Sequence, residues 1–175
     1  VRAGTKVTQV DANGVTIATG QTSELLAAAT VVWAAGVMAV PLVAELAKSL
    51  HGDSEGPLPL DRAGRMLVEP DCSVPGHPEV FVIGDAAAFL HTKDGKPLPG
   101  VSPVAIQQAN FVVQTLAAEL SGRARGRFEY FDKGIMATIG RSRAVAQSGS
   151  LRLSGFVAWM MWLLVHIWYL IGFRN

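Results

Sequence analysis

The chain has 175 residues, half of them hydrophobic and 17% charged, with a formal net charge of +1, so no global field favours nucleic acid and none is expected as a partner. Its single cysteine, Cys72, excludes an internal disulfide, a CxxC redox pair and a cysteine-rich metal site, and the four scattered histidines (His51, His77, His91, His166) give no local support for a metal. The sequence begins on Val1 without a signal peptide and stops at Asn175 directly behind an apolar run, so it reads as a fragment of a longer protein.

Lys6-Val7-Thr8-Gln9-Val10 and Val15-Thr16-Ile17-Ala18 alternate in strand fashion around Asp11-Ala12-Asn13-Gly14, and Asn-Gly is a strong hairpin signal. A third strand is expected at Thr30-Val31-Val32-Trp33, ending on Ala34-Ala35-Gly36. So few strands cannot build an independent core. From Pro41 to Leu50 the pattern is helical, with Pro41 suited to a first turn. A loop rich in Gly, Pro and acids runs from His51 to Leu60, Arg65-Met66-Leu67-Val68 reads as a short strand, and Asp71 to Glu79 reads as a loop.

Val80-Phe81-Val82-Ile83-Gly84-Asp85-Ala86-Ala87 then combines a β-branched run with Gly-Asp and small residues. A buried strand of a parallel sheet delivers a carboxylate to a ligand crevice in this way. Gly84 permits close backbone approach, and Asp85 accepts hydrogen bonds from a polyol or ribose. The octet alone reads equally well as a buried strand with a turn aspartate. A mobile excursion follows from His91 to Pro99.

Ser102 is a good N-cap and Pro103 a good first residue for a helix running to Leu120. Ala105, Ala109, Val112, Val113, Leu116 and Leu120 recur at helical spacing and predict its apolar face. Gln108 sits beside that face and Gln107 projects away from it. Arg123, Arg125 and Arg127, set among glycines, read as a solvated turn. Two short strands, Met136-Ala137-Thr138-Ile139 and Ala144-Val145-Ala146, flank Gly140-Arg141-Ser142-Arg143. The tail from Phe156 to Phe173 is almost uniformly apolar, with Arg152 and Arg174 bracketing it. As a helix it would extend about 27 Å at ~1.5 Å per residue, near the ~30 Å hydrocarbon thickness of a bilayer. A spanning helix, an interfacial anchor and a buried core helix all stay open, with membrane contact favoured by the flanking aromatics.

Three of these elements together make a cofactor site: a strand end at Ala34-Ala35-Gly36, a carboxylate at Gly84-Asp85, and a capped helix opening at Ser102-Pro103-Val104-Ala105. Free N–H groups near Val104, Ala105 and Ile106 would carry partial positive charge, suited to an electron-rich ring edge. Such a site needs no nucleophile or acidic dyad, because a redox cofactor carries the chemistry. No catalytic side chain is assigned.

Those motifs, with Leu98-Pro99-Gly100-Val101, Ala105-Ile106-Gln107-Gln108, Met136-Ala137-Thr138-Ile139-Gly140-Arg141 and the segment from Trp159 to Asn175, resemble the C-terminal part of type II NADH dehydrogenases. These are non-proton-pumping NADH:quinone oxidoreductases of the two-dinucleotide-binding-domain flavoproteins. The resemblance implies an α/β fold, the C-terminal part of a two-Rossmann-domain FAD/NAD(P)-binding flavoprotein with a C-terminal hydrophobic membrane helix. It divides the chain into the end of an NAD(H)-binding domain (1–36), part of an FAD-binding domain (37–130) and a membrane-associating region (131–175).

The same resemblance implies FAD and NADH as cofactors, with Gly84, Asp85, Val104 and Ala105 toward FAD and Ala35 and Gly36 on the NADH side. Gln107 matches the second glutamine of the family pattern Ala-Gln-x-Ala-x-Gln, with Gln108 its neighbour, both on the quinone side. Pro103 stands at the first glutamine position and Ser102 at the preceding alanine, so no side-chain amide is present there. Arg143 stands where relatives often carry lysine. Electrons would pass from NADH through FAD to a membrane quinone, in a membrane-bound enzyme facing the cytoplasm and conceivably dimeric, with the bilayer contacted from Phe156 to Phe173. The glycine-rich dinucleotide loops are absent from these residues and are expected upstream, so the isolated piece should bind cofactor poorly. Two rivals remain: a sulfide:quinone reductase-like flavoprotein, which ordinarily needs a cysteine pair, and a non-catalytic membrane-tethered binding domain.

Overall fold

The computed structural model describes residues 2–34, 36–50 and 58–171, without the side chains of Leu170 and Ile171. The chain divides into two compact units, Val1–Val37 and Met38–Asn175.

The first unit is an antiparallel sheet of three strands in the order β1 (Lys6–Asp11), β2 (Gly14–Thr19), β3 (Thr22–Ala27). Asp11 Oδ1 accepts the Asn13 N–H at 2.8 Å and closes the predicted hairpin. Gly14 has φ +139°, and a Cβ there would lie 2.1 Å from the Leu26 carbonyl oxygen, so the third strand passes where only glycine fits. That strand is not the one expected at Thr30–Trp33, a stretch without strand structure in which Val32 is 83% and Trp33 65% exposed. A strand needs a ladder partner, and the described residues of this unit offer Thr30–Trp33 none, whereas Thr22–Ala27 pairs with β2 along its whole length.

In the second unit, α1 (Pro41–Ser49) opens on Pro41 and buries Val43 and Ala47, one turn apart. They join Met66, Val68, Cys72, Val74, Val82, Ala87, Phe89 and Phe128 in the core. β4 (Met66–Leu67) runs parallel to β7 (Ala87–Ala88), and β5 (Ser73–Val74) is antiparallel to β6 (His77–Phe81). The stretch from Asp71 to Glu79, expected to be loop, is therefore largely a hairpin turning on Pro75-Gly76, with Gly76 at φ +77°. The strand expected to end on Asp85 stops at Phe81. Val82 stays extended, donating its N–H to the Cys72 carbonyl at 3.1 Å. Gly84, at φ +63°, then breaks the chain into a one-turn 3-10 helix, Gly84–Ala86. Asp85 thus rides on a turn between an antiparallel and a parallel strand.

The excursion from His91 to Pro99, predicted as mobile, is closed by hydrogen bonds. Thr92 Oγ1 donates to the Lys96 carbonyl at 2.7 Å, and Leu98 returns its N–H to the Phe89 carbonyl at 3.2 Å. The predicted loop from His51 to Leu60 lies largely outside the described residues.

α2 (Ser102–Leu120) begins where Pro103 predicts, but its N-cap is Val101, and Ser102 makes no side-chain cap. The expected apolar face is also displaced. Val113 is 65% and Leu120 92% exposed, and the buried residues are Val104, Gln108 and Thr115. The buried side follows one helical face, 104–108–111/112–115, with Phe111 and Val112 packed against the core and Gln108 as its polar member, bonded to Gly84. Arg125 is likewise no solvated turn residue: it pairs with Asp71 at 2.9 Å and with Glu119, and its guanidinium stands 5.0 Å over the Phe81 ring.

The C-terminal portion is a sheet in the order β10 (Leu151–Ser154), β9 (Ala144–Ser148), β8 (Ile135–Thr138), backed by α3 (Gly155–Ile171). Ala144, Ala146 and Ala158 meet at the contact, where small side chains let helix and sheet approach closely, and Trp159 and Trp162 pack around them. Among the described residues no helix is long and apolar enough to cross a membrane. The last residues of the predicted tail, 172–175, lie outside the described set.

Candidate functional site

The turn at Gly84–Ala86 packs against the start of α2. A Cβ on Gly84 would stand 3.1 Å from the Ala105 Cβ, and its positive φ already disfavours a side chain, so glycine sets this close approach. Asp85 is exposed. Across from it, a Cβ on Gly100 would fall 2.9 Å from Asp85 Oδ1. Gly100 thus leaves the space the carboxylate occupies. Its glycine, just before a Pro-started helix, was the signal for this role, and sequence reasoning passed over it.

The turn is held from beneath by Gln108. This side chain is 1% exposed, and its Oε1 accepts the Gly84 N–H at 2.7 Å. Its amide also reaches the Cys72 thiol. Cys72 sits at φ +67° on the turn whose N–H returns to the Glu69 carbonyl at 2.9 Å. Burial, with a smaller push from the Asp71 charge, drives its thiol up to about 12, against a hydrogen bond from Gln108 that pulls it down. The thiol is therefore protonated at neutral pH and supplies no thiolate for sulfide chemistry.

The resemblance puts Gln108 on the quinone side. The structure instead turns it inward to Gly84 and Cys72, because a buried glycine N–H needs an acceptor and this amide is the one in reach. Gln107, one residue earlier, faces the opposite way. Its Nε2 donates to the Phe131 carbonyl and its Oε1 accepts the Phe131 N–H, both at 3.0 Å. It borders a shallow groove of about 350 Å³ with Asn110, Gln114 and Arg127. A comparable groove of about 370 Å³ lies on the β8–β10 sheet, lined by residues such as Ile135, Val145 and Arg152, away from the aspartate turn.

The expected free N–H groups of the helix start are not free. Val104 and Ala105 donate theirs to the Val101 carbonyl at 3.0 and 3.4 Å, and Val104 is 3% exposed. What the helix start offers a ligand is the half-buried Ala105 and the positive end of the dipole. Gly36 belongs to the first unit, with φ +87° and open space where a Cβ would stand. Ala35 lies outside the described residues. Within the second unit, then, Gly84, Asp85, Gly100, Ala105 and Gln108 form one cluster, and Gln107 bonds Phe131 instead.

Comparison with known proteins bears on the same motifs. The family model described as pyridine nucleotide-disulphide oxidoreductase matches residues 1–109. Type II NADH:quinone oxidoreductase Ndh of Mycobacterium tuberculosis is 45% identical over all of this chain and 36% of its own length. NdhA of the same organism is 43% identical over the same shares. The type II NADH:quinone oxidoreductase of Staphylococcus haemolyticus is 31% identical over 78% of this chain and 31% of its own length. The chain thus spans about a third of the curated relatives it matches. In fold it is similar to NDH2 from Plasmodium falciparum, solved in complex with NADH, with a TM-score of 0.73 at 15% identity over 95% of this chain and 47% of that one. The α/β architecture and the resemblance carried by the motifs are both borne out, and the chain belongs to the pyridine nucleotide-disulphide oxidoreductase family.

Proposed function

We propose that this chain forms the aspartate half of the flavin site, together with the acceptor side, of an NADH:quinone oxidoreductase that does not pump protons. The observation that carries the reading is the exposed Asp85 carboxylate, set on a glycine turn against Gly100 and beside the start of α2. The residues fit FAD in their donor chemistry. An exposed carboxylate accepts hydrogen bonds from ribityl hydroxyls, and Gly84 and Gly100 remove the side chains that would crowd them. FAD bound there would supply the two-electron exchange between a nicotinamide and a quinone. Asp85 orients its polyol chain, Ala105 lines the ring side, and Gln108 fixes the turn from which Asp85 projects. By the same reading Ala35 and Gly36 would belong to the NADH side, and the segments 1–36 and 37–130 to the NAD(H)- and FAD-binding domains. The glycine-rich loop that cradles the FAD diphosphate comes from outside these residues.

The region 131–175 takes the enzyme to the cytoplasmic face of a membrane, where the quinone resides. Support for this comes from α3, whose Phe156, Val157, Leu164 and Trp168 are each 59% exposed or more. His166 is the one histidine on α3, and its Nδ1–H donates to the Trp162 carbonyl at 2.7 Å. That bond ties it to its own helix instead of to a proton path.

The test is Asp85→Ala in the full polypeptide that carries these residues. Loss of charge-assisted hydrogen bonds worth about 1.5–3 kcal/mol each should weaken FAD retention about tenfold or more. NADH:quinone activity in membranes should fall in proportion and recover in part when FAD is added. Wild-type flavin content and rate in the variant defeat the assignment.

A further inference from the structure

Gln107 bonds one residue twice. Its donation to the Phe131 carbonyl and acceptance from the Phe131 N–H, both at 3.0 Å, copy the paired bonds that opposite residues exchange in an antiparallel sheet. The Phe131 backbone is thereby fixed to α2, yet its ring is 70% exposed. Two residues on, Lys133 Nζ lies 3.3 Å from the Tyr169 hydroxyl on α3 and 6.0 Å from the ring centroid. Asp132 Oδ1 accepts the Gly134 N–H at 2.8 Å, and a Cβ on Gly134 would stand 2.2 Å from the Gln147 carbonyl oxygen. The strap from Phe131 to Gly134 is therefore anchored to α2, to α3 and to the sheet, while the aromatic ring it carries has been left out of the core. Ile106, the residue before Gln107, is also exposed, at 46%. Gln107 is two residues past Ala105 on α2, and the resemblance implies the quinone side for it, so the ring it holds is placed on that side by the same reading.

We propose that Gln107 is a positioning residue for Phe131, and that the Phe131 ring, not the Gln107 amide, meets the planar head group of the quinone. The inference rests on the NADH:quinone reading above and adds a residue to its acceptor side. Both polar atoms of the Gln107 amide are engaged by backbone, whereas a rigidly held, exposed aromatic face suits stacking on a flat, apolar acceptor.

The test is a double-mutant cycle in the full, flavin-loaded protein, with Gln107→Met, Phe131→Ala and their combination, plus Phe131→Trp as the conservative variant. KM and kcat are measured with a short-chain quinone, and flavin content and NADH:ferricyanide rate are measured alongside. Each single variant should raise the quinone KM about three- to tenfold, the scale of one lost contact or hydrogen bond. The ferricyanide rate should fall far less, and Phe131→Trp should restore the KM. The combination should be no worse than Phe131→Ala alone, because Gln107 acts only through that ring. Additive effects, or an unchanged KM in Phe131→Ala, overturn the proposal. If Gln107→Met releases flavin, Gln107→Glu takes its place under the same criterion, since it keeps acceptance from the Phe131 N–H and loses the donation. A wild-type protein that reduces ferricyanide but no quinone overturns the acceptor reading together with this inference. Failure of the cycle alone leaves the NADH:quinone reading standing.

Discussion

Gln108 is the residue on which the geometry of the aspartate turn depends. Its Oε1 satisfies the Gly84 N–H from inside the fold, and its amide reaches Cys72, so three separate stretches of chain meet at one buried side chain. Gln108→Leu keeps the volume and removes the acceptor. A buried N–H left without a partner costs about 1–3 kcal/mol, and here the turn at Gly84 would be the part released. The expected outcome in the full protein is a lower melting temperature together with weaker flavin retention, even though Gln108 need not touch the cofactor. Gln108→Glu retains an acceptor for Gly84 and should keep more of the flavin. A Gln108→Leu protein that melts and holds flavin as wild type does would show that the turn is fixed by something else.

At the scale of elements, Arg125 fastens the segment behind α2 to the hairpin β5–β6. It bonds Asp71 ahead of β5 and Glu119 at the end of α2, and it covers the Phe81 ring on β6. Partial burial alone would raise the Asp71 carboxyl. Hydrogen bonds from the Ser73 hydroxyl and from Arg125, with the Ser73 N–H and the Arg125 charge behind them, hold it below its ordinary value. The folded state therefore binds its proton less readily than the unfolded chain. The stabilisation is fully present above the unfolded aspartate value of about 3.9, and it is lost as pH falls through the lower folded value. Arg125→Met should cost about 1–2 kcal/mol at pH 7. Melting curves of wild type and variant should converge as the pH drops below about 4. A gap that stays constant into acid would mean that Arg125 acts by packing on Phe81 and not by charge.

What could be read in advance also divides by scale. Local chemistry was legible: Asn13-Gly14 gave the first hairpin, Pro41 and Pro103 gave two helix starts, and Gly140 to Arg143 gave the turn between β8 and β9. The turn at Pro75-Gly76 carried an equally plain signal and was missed because the segment around it looked like loop. Long-range facts were not legible. Apolar residues alone did not say that the buried face of α2 would carry Gln108, whose partner is the Gly84 N–H, 24 residues away in sequence, while Val113 and Leu120 face solvent. Likewise Thr22–Ala27 lacks a strand-like alternation, and it forms β3 because β2 presents an edge to pair with. The aspartate of the site was found by its motif, whereas Gln108 was singled out for the quinone side and Gly100 only as part of a motif, and their role in placing the aspartate emerged from contacts.

At the C-terminal end of the second unit, small side chains make the contact between α3 and the sheet while several large ones on α3 stay outside. Ala144, Ala146 and Ala158 are buried where α3 meets the sheet, yet Val157, Leu164, Ile167 and Trp168 are 45% exposed or more. A soluble surface rarely carries so continuous an apolar face without a partner for it. On the membrane reading proposed above, such a helix would rest at the interface of an anionic bilayer, with Arg152 on β10 and Lys133 on the strap among the head groups. Fully burying one large aliphatic side chain is worth about 1.5–3 kcal/mol. Leu164→Ser with Ile167→Ser should therefore reduce binding of the full protein to phosphatidylcholine–phosphatidylglycerol vesicles by about tenfold or more. Both positions lie beyond the alanine contact, so flavin content and the ferricyanide rate should hold while quinone reduction in membranes falls. Equal vesicle binding by the variant and wild type would assign this apolar face to a protein partner instead of to lipid.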